Sequence, residues 1–476
     1  MASNVSRFDH VVLLMLENRS FDHMLGCLYA GQGNRSPLGH PFEGLDGTES
    51  NLDSSGKAIN VFTITNSTPM AYFMPGVNPG ESYIRRNAQL FGSETAPASP
   101  PPADQCNIGY VQDFEKRIAA AQSPKIPHID GTTPADIMGV YTPEMLPILS
   151  GLAKGYAVCD NWFASVPSET MPNRAFALAG TSLGEINDPF GKATYPTYNT
   201  PSIFGRLADA KLQWRIYGAG EVMTRNNFPD TINDKWCSGS ITDFKNAARN
   251  GTLPEFSFIE PGWSGPGQSD QHPVSDVSAG EQLIADVYYA LFNGKDWNST
   301  LFIITYDECG GCYDHVMPPW GDEIIPPDNK PDPKYAFDFK RLGPRVPAVL
   351  VSPLIRAGTV FRVPDGATPL EHTAILKTIE TRWNLPSLSA RDAAAPDLSA
   401  VLTLTTPRTD DPLANVQVPH YSGPNPFATA VTHVQQMTAD TLEAHPAVKA
   451  SGQVKRTRPS NSVDFENYVR TLGKHS

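Results

Sequence analysis

Two short polar pairs in this sequence could do chemistry together. Glu17-Asn18 ends the aliphatic run VVLLML, and Asp307-Glu308 ends LFIITY just before Gly310-Gly311. In an open α/β sheet, ligands bind beyond the carboxyl ends of the strands. Neighbouring strand side chains point to opposite faces. Both members of a pair therefore face one ligand only where the chain leaves strand geometry, a step that glycine makes easy. One pair alone is as readily an ordinary polar loop start. Two pairs converging at one sheet edge would be a costly like-charge cluster unless a cation sat between them. The pairing therefore predicts a divalent-metal site built from Glu17, Asn18, Asp307 and Glu308.

A hydroxyl comes next, in SETMPNRAF at residues 168–176. Thr170 precedes a helix with Pro172 in its first turn. Orphan amides and the helix dipole would face the hydroxyl and anything bound to it, an arrangement suited to attack on phosphate. The plainer reading makes Thr170 an N-cap. A helix terminus gives an anion only about 0.3–2 kcal/mol, whereas a transition state needs roughly 8–23 kcal/mol. A catalytic Thr170 thus requires a metal beside it. Arg174 could grip a phosphate bidentately or pair with a structural carboxylate. His272, His315 and His372 each sit where a loop leaves a predicted strand, the place for a general acid. Each alone is as well explained by packing or capping, and His23 reads as packed or solvent-facing. Cys309 and Cys312 form a CxxC with no second pair at ligand spacing and no thioredoxin-like context, a weak signal for zinc or redox work.

These residues need a scaffold. The 476 residues are 40% hydrophobic, enough for a large core. The net charge of -13 argues against nucleic acid as the main partner. Six cysteines in this length are no disulfide framework. The N-terminus shows no secretory pattern, and no apolar run reaches the roughly 18 residues of a membrane helix. A cytoplasmic location is expected, with export lacking a cleaved signal left open. Val/Ile/Leu-rich strands such as FDHVVLLML, LQWRIYG, EFSFIEP, TLFIITYDE and VPAVLVSPLI alternate with helical stretches. That order predicts an α/β fold with a central, mostly parallel sheet covered by helices on both faces. Ser20 reads as an N-cap for a helix running to about Tyr29. Residues 31–110 read as a long excursion with little regular structure. The expected division is a catalytic domain over 1–388 and an appended lobe or tail over 389–476.

Taken together, HVVLLMLENRSFDHMLG, the YTPEMLPILSG…MPNRAFALAGTS segment, HPVSDVSAGEQL, ITYDECGGCYDHVMPP and EHTAILKTIETRWNLP resemble the phosphoesterase family of bacterial and plant non-specific phospholipases C and related acid phosphatases. The segments run in family order over about residues 8–386. The resemblance implies an alkaline-phosphatase-like α/β fold and hydrolysis of phosphoesters through a phosphothreonine. It makes Thr170 the nucleophile and a fifth ligand of one divalent ion (Mg, Ca, Mn or Zn) beside Glu17, Asn18, Asp307 and Glu308. It puts His272 beside the phosphoryl group. Asn18 is expected to help hold the intermediate, and Arg174, His315 and His372 to bind substrate. Thr170-Met171-Pro172-Asn173-Arg174 has the spacing of the superfamily's sulfatase motif, but Thr cannot become formylglycine, which favours phosphate esters. The substrate class is expected to be a phospholipid at a membrane surface, such as phosphatidylcholine, with a soluble phosphomonoester, or an inactive lipid- or phosphate-binding role, as alternatives. One departure stands out: relatives commonly read YDEHGG, and Cys309 replaces that histidine here.

Overall fold

The structure is a computed structural model that describes residues 4–121, 128–189, 193–219, 223–232, 239–321, 324, 331–427 and 430–475. Cys237 lies outside these residues. Strands β1 (His10–Leu16), β2 (Ala157–Val158), β3 (Trp214–Gly218), β4 (Gly239–Ser240), β5 (Phe256–Glu260), β6 (Thr300–Tyr306), β7 (Ala348–Val351) and β8 (Thr359–Val360) form one sheet. Its order is β8-β2-β7-β6-β1-β5-β3-β4. Only β7 runs against its neighbours β6 and β2, and every other pair is parallel. The chain is thus mixed α/β with a mostly parallel central sheet. Val11–Leu16 and all of β5 and β6 are buried on both faces, as their unbroken apolar runs require.

The helices that matter for the site are α1 (Phe21–Leu25), α2 (Tyr83–Phe91), α3 (Pro147–Gly155), α4 (Thr170–Ala179), α5 (Val277–Phe292), α6 (Thr373–Trp383), α7 (His433–Ala444) and α8 (Ser462–Gly473). Ser20 caps α1 by accepting from the His23 amide, but the helix ends at Leu25, short of Tyr29. The 31–110 excursion carries more order than expected: three short strands and α2. Helix α2 escapes a hydrophobic-periodicity reading because its buried face includes Arg86, Asn87 and Gln89. Beyond residue 388, α7 contributes Val434 and Met437 to the main core. Helix α8 closes a small second cluster with Leu442, Val448, Phe465 and Leu472. Among the described residues, no helix is long and apolar enough to cross a membrane.

One polar tie joins α5 to α3. Glu281 accepts from the amides of Ile148 (2.6 Å) and Leu149 (3.0 Å), groups that a helix start leaves without partners. Burial pushes the Glu281 carboxyl up to about 8, and the two N–H bonds offset this only in part. The folded state therefore keeps a proton that the unfolded chain has lost. This group's stabilisation is complete below the ordinary glutamate value of about 4.3. It is lost as pH rises through about 8. Urea midpoints of wild type and Glu281→Gln between pH 5 and 8 should diverge, with a differential slope of at most ~1.4 kcal/mol per pH unit. Parallel pH profiles would rule the contribution out.

Candidate active site

Strands β1 and β6 are adjacent and end level, with Leu16 opposite Tyr306. Their next residues, Glu17 and Asp307, therefore leave the sheet together. Asn18 then turns to φ 57, a left-handed conformation that Asn tolerates better than most residues. The chain leaves strand geometry at that point. Its amide donates to Asp307 Oδ1 at 3.1 Å. Gly310, at φ 61, packs so closely that a Cβ there would stand 1.9 Å from the Asn18 carbonyl oxygen, so only glycine fits.

Thr170 is the first residue of α4, fully buried. Asn173 shapes the loop before it, accepting from the Val166 amide at 3.0 Å and donating to the carbonyls of Ser168 and Glu169. The Thr170 hydroxyl lies 3.4 Å from Asn18 Oδ1 and 3.4 Å from His433 Nε2. His433 was not anticipated: it opens α7, in the polar tail. The TxxQ capping box of Thr432 and Gln435 marks a helix start there, but nothing local marks the histidine as functional. Burial and neighbouring His272 pull its pKa down to about 3, so the ring is neutral near pH 7.

His272 packs on His433 with ring centroids 4.5 Å apart. Its Nε2 lies 3.3 Å from Glu81 Oε1, at ion-pair distance. Burial opposes protonation of His272, but Glu81 and Asp270 outweigh it and raise the pKa. Burial likewise opposes ionisation of Glu81, and there His272, His433 and Arg117 win and lower it. Glu81 and its neighbour Arg86 were also missed, because they lie in the segment read as irregular.

Arg174 and Arg86 offset the acidic groups. Arg174 Nε donates to Asp307 Oδ2 at 2.9 Å, and its Nη2 lies 3.5 Å from Glu17 Oε1. Its Nη1 is buried without a hydrogen-bond partner among the described residues. Its guanidinium also stacks 4.9 Å from the Trp263 ring. Arg86 donates to Glu308 Oε2 at 2.6 Å, and the Gly310 amide donates to the same oxygen at 2.8 Å. Glu308 thus turns toward α2. His372 Nε2 bonds the Asp307 carbonyl at 2.7 Å while its Nδ1 accepts from Trp162. That fixes a neutral ring that braces the acidic turn from behind. His315 sits in a different network, 2.6 Å from Asp22. Arg345 also binds Asp22 there, and bonds Asp314 as well. Cys309 is fully buried in the main core, and burial raises its thiol well above the ordinary value.

Both carboxylate oxygens of Glu17, and Oε1 of Glu308, are buried without hydrogen-bond partners among the described residues. Burial, then the charge of Asp307, pushes the Glu17 pKa well up. Among the described residues one metal-competent cluster of His, Cys or acidic groups stands out: Glu17, His272 and His433, with ligand atoms within 4.8 Å of one another. An orphaned, buried carboxylate beside imidazoles and the Asn18 and Thr170 oxygens fits a divalent cation.

A buried hydroxyl at a helix start, flanked by an amide oxygen and an imidazole at the edge of a buried acidic cluster, belongs to an α/β enzyme that handles an anionic ester. The chain belongs to the phosphoesterase family, whose model matches residues 8–386, and it is a phosphoric ester hydrolase. Non-specific phospholipase C3 of Arabidopsis thaliana is 33% identical over 439 residues, covering 88% of this chain and 77% of that protein. Phospholipase C B of Mycobacterium tuberculosis is 27% identical over 448 residues, covering 85% of this chain and 79% of that protein. A solved protein in the alkaline phosphatase superfamily from Vibrio parahaemolyticus aligns at TM-score 0.34 and 12% identity, over 54% of this chain and 64% of that one. His433 lies outside the residues that the family model matches.

The Arg86–Glu308 contact can be tested directly. Both side chains are at most 1% exposed. Arg86→Met should destabilise by roughly 3–5 kcal/mol, because it leaves a carboxylate buried and unpaired. Adding Glu308→Gln should recover most of the urea midpoint. A single variant as stable as wild type would show that the pair does not hold this turn.

Proposed function

We propose that this enzyme is a phospholipase C that cleaves glycerophospholipids through a phosphothreonine on Thr170, with one divalent cation as cofactor. The observation that carries the reading is the Thr170 hydroxyl, buried at the start of α4 and shared between Asn18 and His433. The names of the relatives support the lipid substrate. Glu17, Asn18 and Thr170 would hold the cation, and Asp307 and Glu308, expected as further ligands, stand behind them held by Arg174 and Arg86. Bound there, Mg²⁺, Ca²⁺, Mn²⁺ or Zn²⁺ would neutralise phosphoryl oxygens and lower the hydroxyl's pKa. The mostly oxygen donors suit Mg²⁺, Ca²⁺ or Mn²⁺, with Zn²⁺ as the fourth candidate.

The side chains divide the remaining work. Asn18 and neutral His433 orient the Thr170 hydroxyl for in-line attack on phosphorus. Arg174 keeps Asp307 and Glu17 in place and has Nη1 left for a phosphoryl oxygen. His272, whose protonated form Glu81 favours, gives its proton to the departing diacylglycerol oxygen. As the Thr170 oxygen bonds phosphorus, its proton passes to His433 Nε2. Water then attacks the phosphothreonine and gives one proton back to His272. The Thr170 oxygen leaves with the proton held by His433, and the phosphorylated headgroup is released. Most of the catalytic effect is positioning and charge neutralisation.

Acid-quenched wild type should carry phosphate or a phosphorylated headgroup on the Thr170 peptide, read by mass spectrometry. Thr170→Ala should carry none and lose roughly 10⁴-fold or more in kcat, with an unchanged circular dichroism spectrum. Chelation should abolish turnover, and one of the four ions should restore it. Micelles carrying phosphatidylcholine together with phosphatidylinositol should be cleaved in preference to a soluble aryl phosphate. An active Thr170→Ala enzyme would refute the nucleophile, and equal or exclusive turnover of the aryl ester would refute the lipase.

A further inference from the structure

A cavity of about 210 Å³ opens beside His272 and His433. The catalytic region forms one wall, with Asn78, Arg117, Gln268 and residues 272–275. The C-terminal segment forms the other, with Phe427, residues 430–433 and Gln436. Its volume is below the roughly 300–1,000 Å³ of sites for drug-sized ligands, so it suits a polar headgroup and not a pair of acyl chains.

The wall chemistry discriminates among headgroups. Among the described residues that line it none is Asp or Glu, Glu81 lying behind His272, and Phe427 is the one ring of the Phe, Tyr or Trp kind. A trimethylammonium group is held by an aromatic cage, which one ring does not make. The wall's permanent cation, Arg117, would repel it. Arg117 Nε donates to the Asn78 carbonyl at 2.7 Å. The guanidinium forms no salt bridge among the described residues, so its terminal N–H groups can reach a ligand oxygen. Asn78 Oδ1 is buried with no hydrogen-bond partner among the described residues. It is an acceptor that a hydroxyl satisfies and a trimethylammonium group, having no N–H, leaves empty. The side-chain amides of Gln268 and Gln436 extend the same polar lining.

We infer that this cavity is the headgroup subsite, and that Arg117 and Asn78 make it select polyhydroxylated headgroups such as inositol or glycerol over choline. The inference rests on the phospholipase reading above and names the substrate class within it. The test is a competition in one neutral-detergent micelle carrying equal phosphatidylinositol and phosphatidylcholine, so that both lipids share one surface. The ratio of inositol phosphate to phosphocholine released, read by mass spectrometry, is independent of how much of the enzyme is active. Wild type should favour inositol phosphate, and Arg117→Glu should lower the ratio by about tenfold, the equivalent of one charge-assisted hydrogen bond. Equal release by wild type, or an unchanged ratio in the variant, overturns the subsite alone. Hydrolysis of aryl phosphate with no lipid product overturns the phospholipase reading and the subsite with it.

Discussion

Glu17, Asp307 and Glu308 lie in the interior because two neighbouring strands end at the same level, and the rest of the site follows from balancing their charge. Burying each carboxylate costs several kcal/mol. Like charges about 4 Å apart add about 4 kcal/mol more at an effective dielectric of 20. Arg174 answers from α4, the helix that also carries Thr170. Arg86 answers from α2, in the excursion. Charge compensation is thus what docks both elements against the ends of β1 and β6. The fold tolerates the cluster because it gives Asp307 and Glu308 donors, yet among the described residues the Glu17 carboxylate accepts no hydrogen bond. That residue is where a cation has most to offer.

The nucleophile depends on the same constraint at one remove. Thr170 is positioned by Asn173 in its own helix and by Asn18, whose left-handed turn exists because Gly310 lets two chain segments touch. The hydroxyl is therefore tied to the acidic turn through backbone geometry as well as through charge. His372 fixes the opposite side of that turn by bonding the Asp307 carbonyl. The Cys309 replacement falls beside this turn, inside the apolar core, and none of the contacts to Thr170 passes through it.

Much of the scaffold was legible because buried parallel strands leave an unmistakable mark. Runs such as VVLLML and LFIITY cannot face water on either side, and alternation with helices restricts their connections. The polar residues at strand ends were legible for the same reason, since they interrupt a run that must be buried. Helix α2 was not legible. Its buried face carries Arg86, Asn87 and Gln89, so the apolar periodicity that betrays a packed helix is absent. Arg86 is buried only because Glu308 waits for it, a fact residing in the partner and not in the helix's own sequence.

By itself the sequence determined the long buried strands, the Glu17-Asn18 and Asp307-Glu308 turns, and a helix beginning beside Thr170, because each depends on local pattern and turn chemistry. Only the tertiary structure decided which acids remain unpaired and which histidines reach the hydroxyl. His272 and His433 lie on separate segments yet stack 4.5 Å apart, and His315, equally plausible by position, packs with Asp22 instead. Those outcomes depend on how distant segments meet over the ends of the sheet. Meeting points between residues far apart in the chain are set by packing and charge balance across the whole molecule, and no local stretch encodes them.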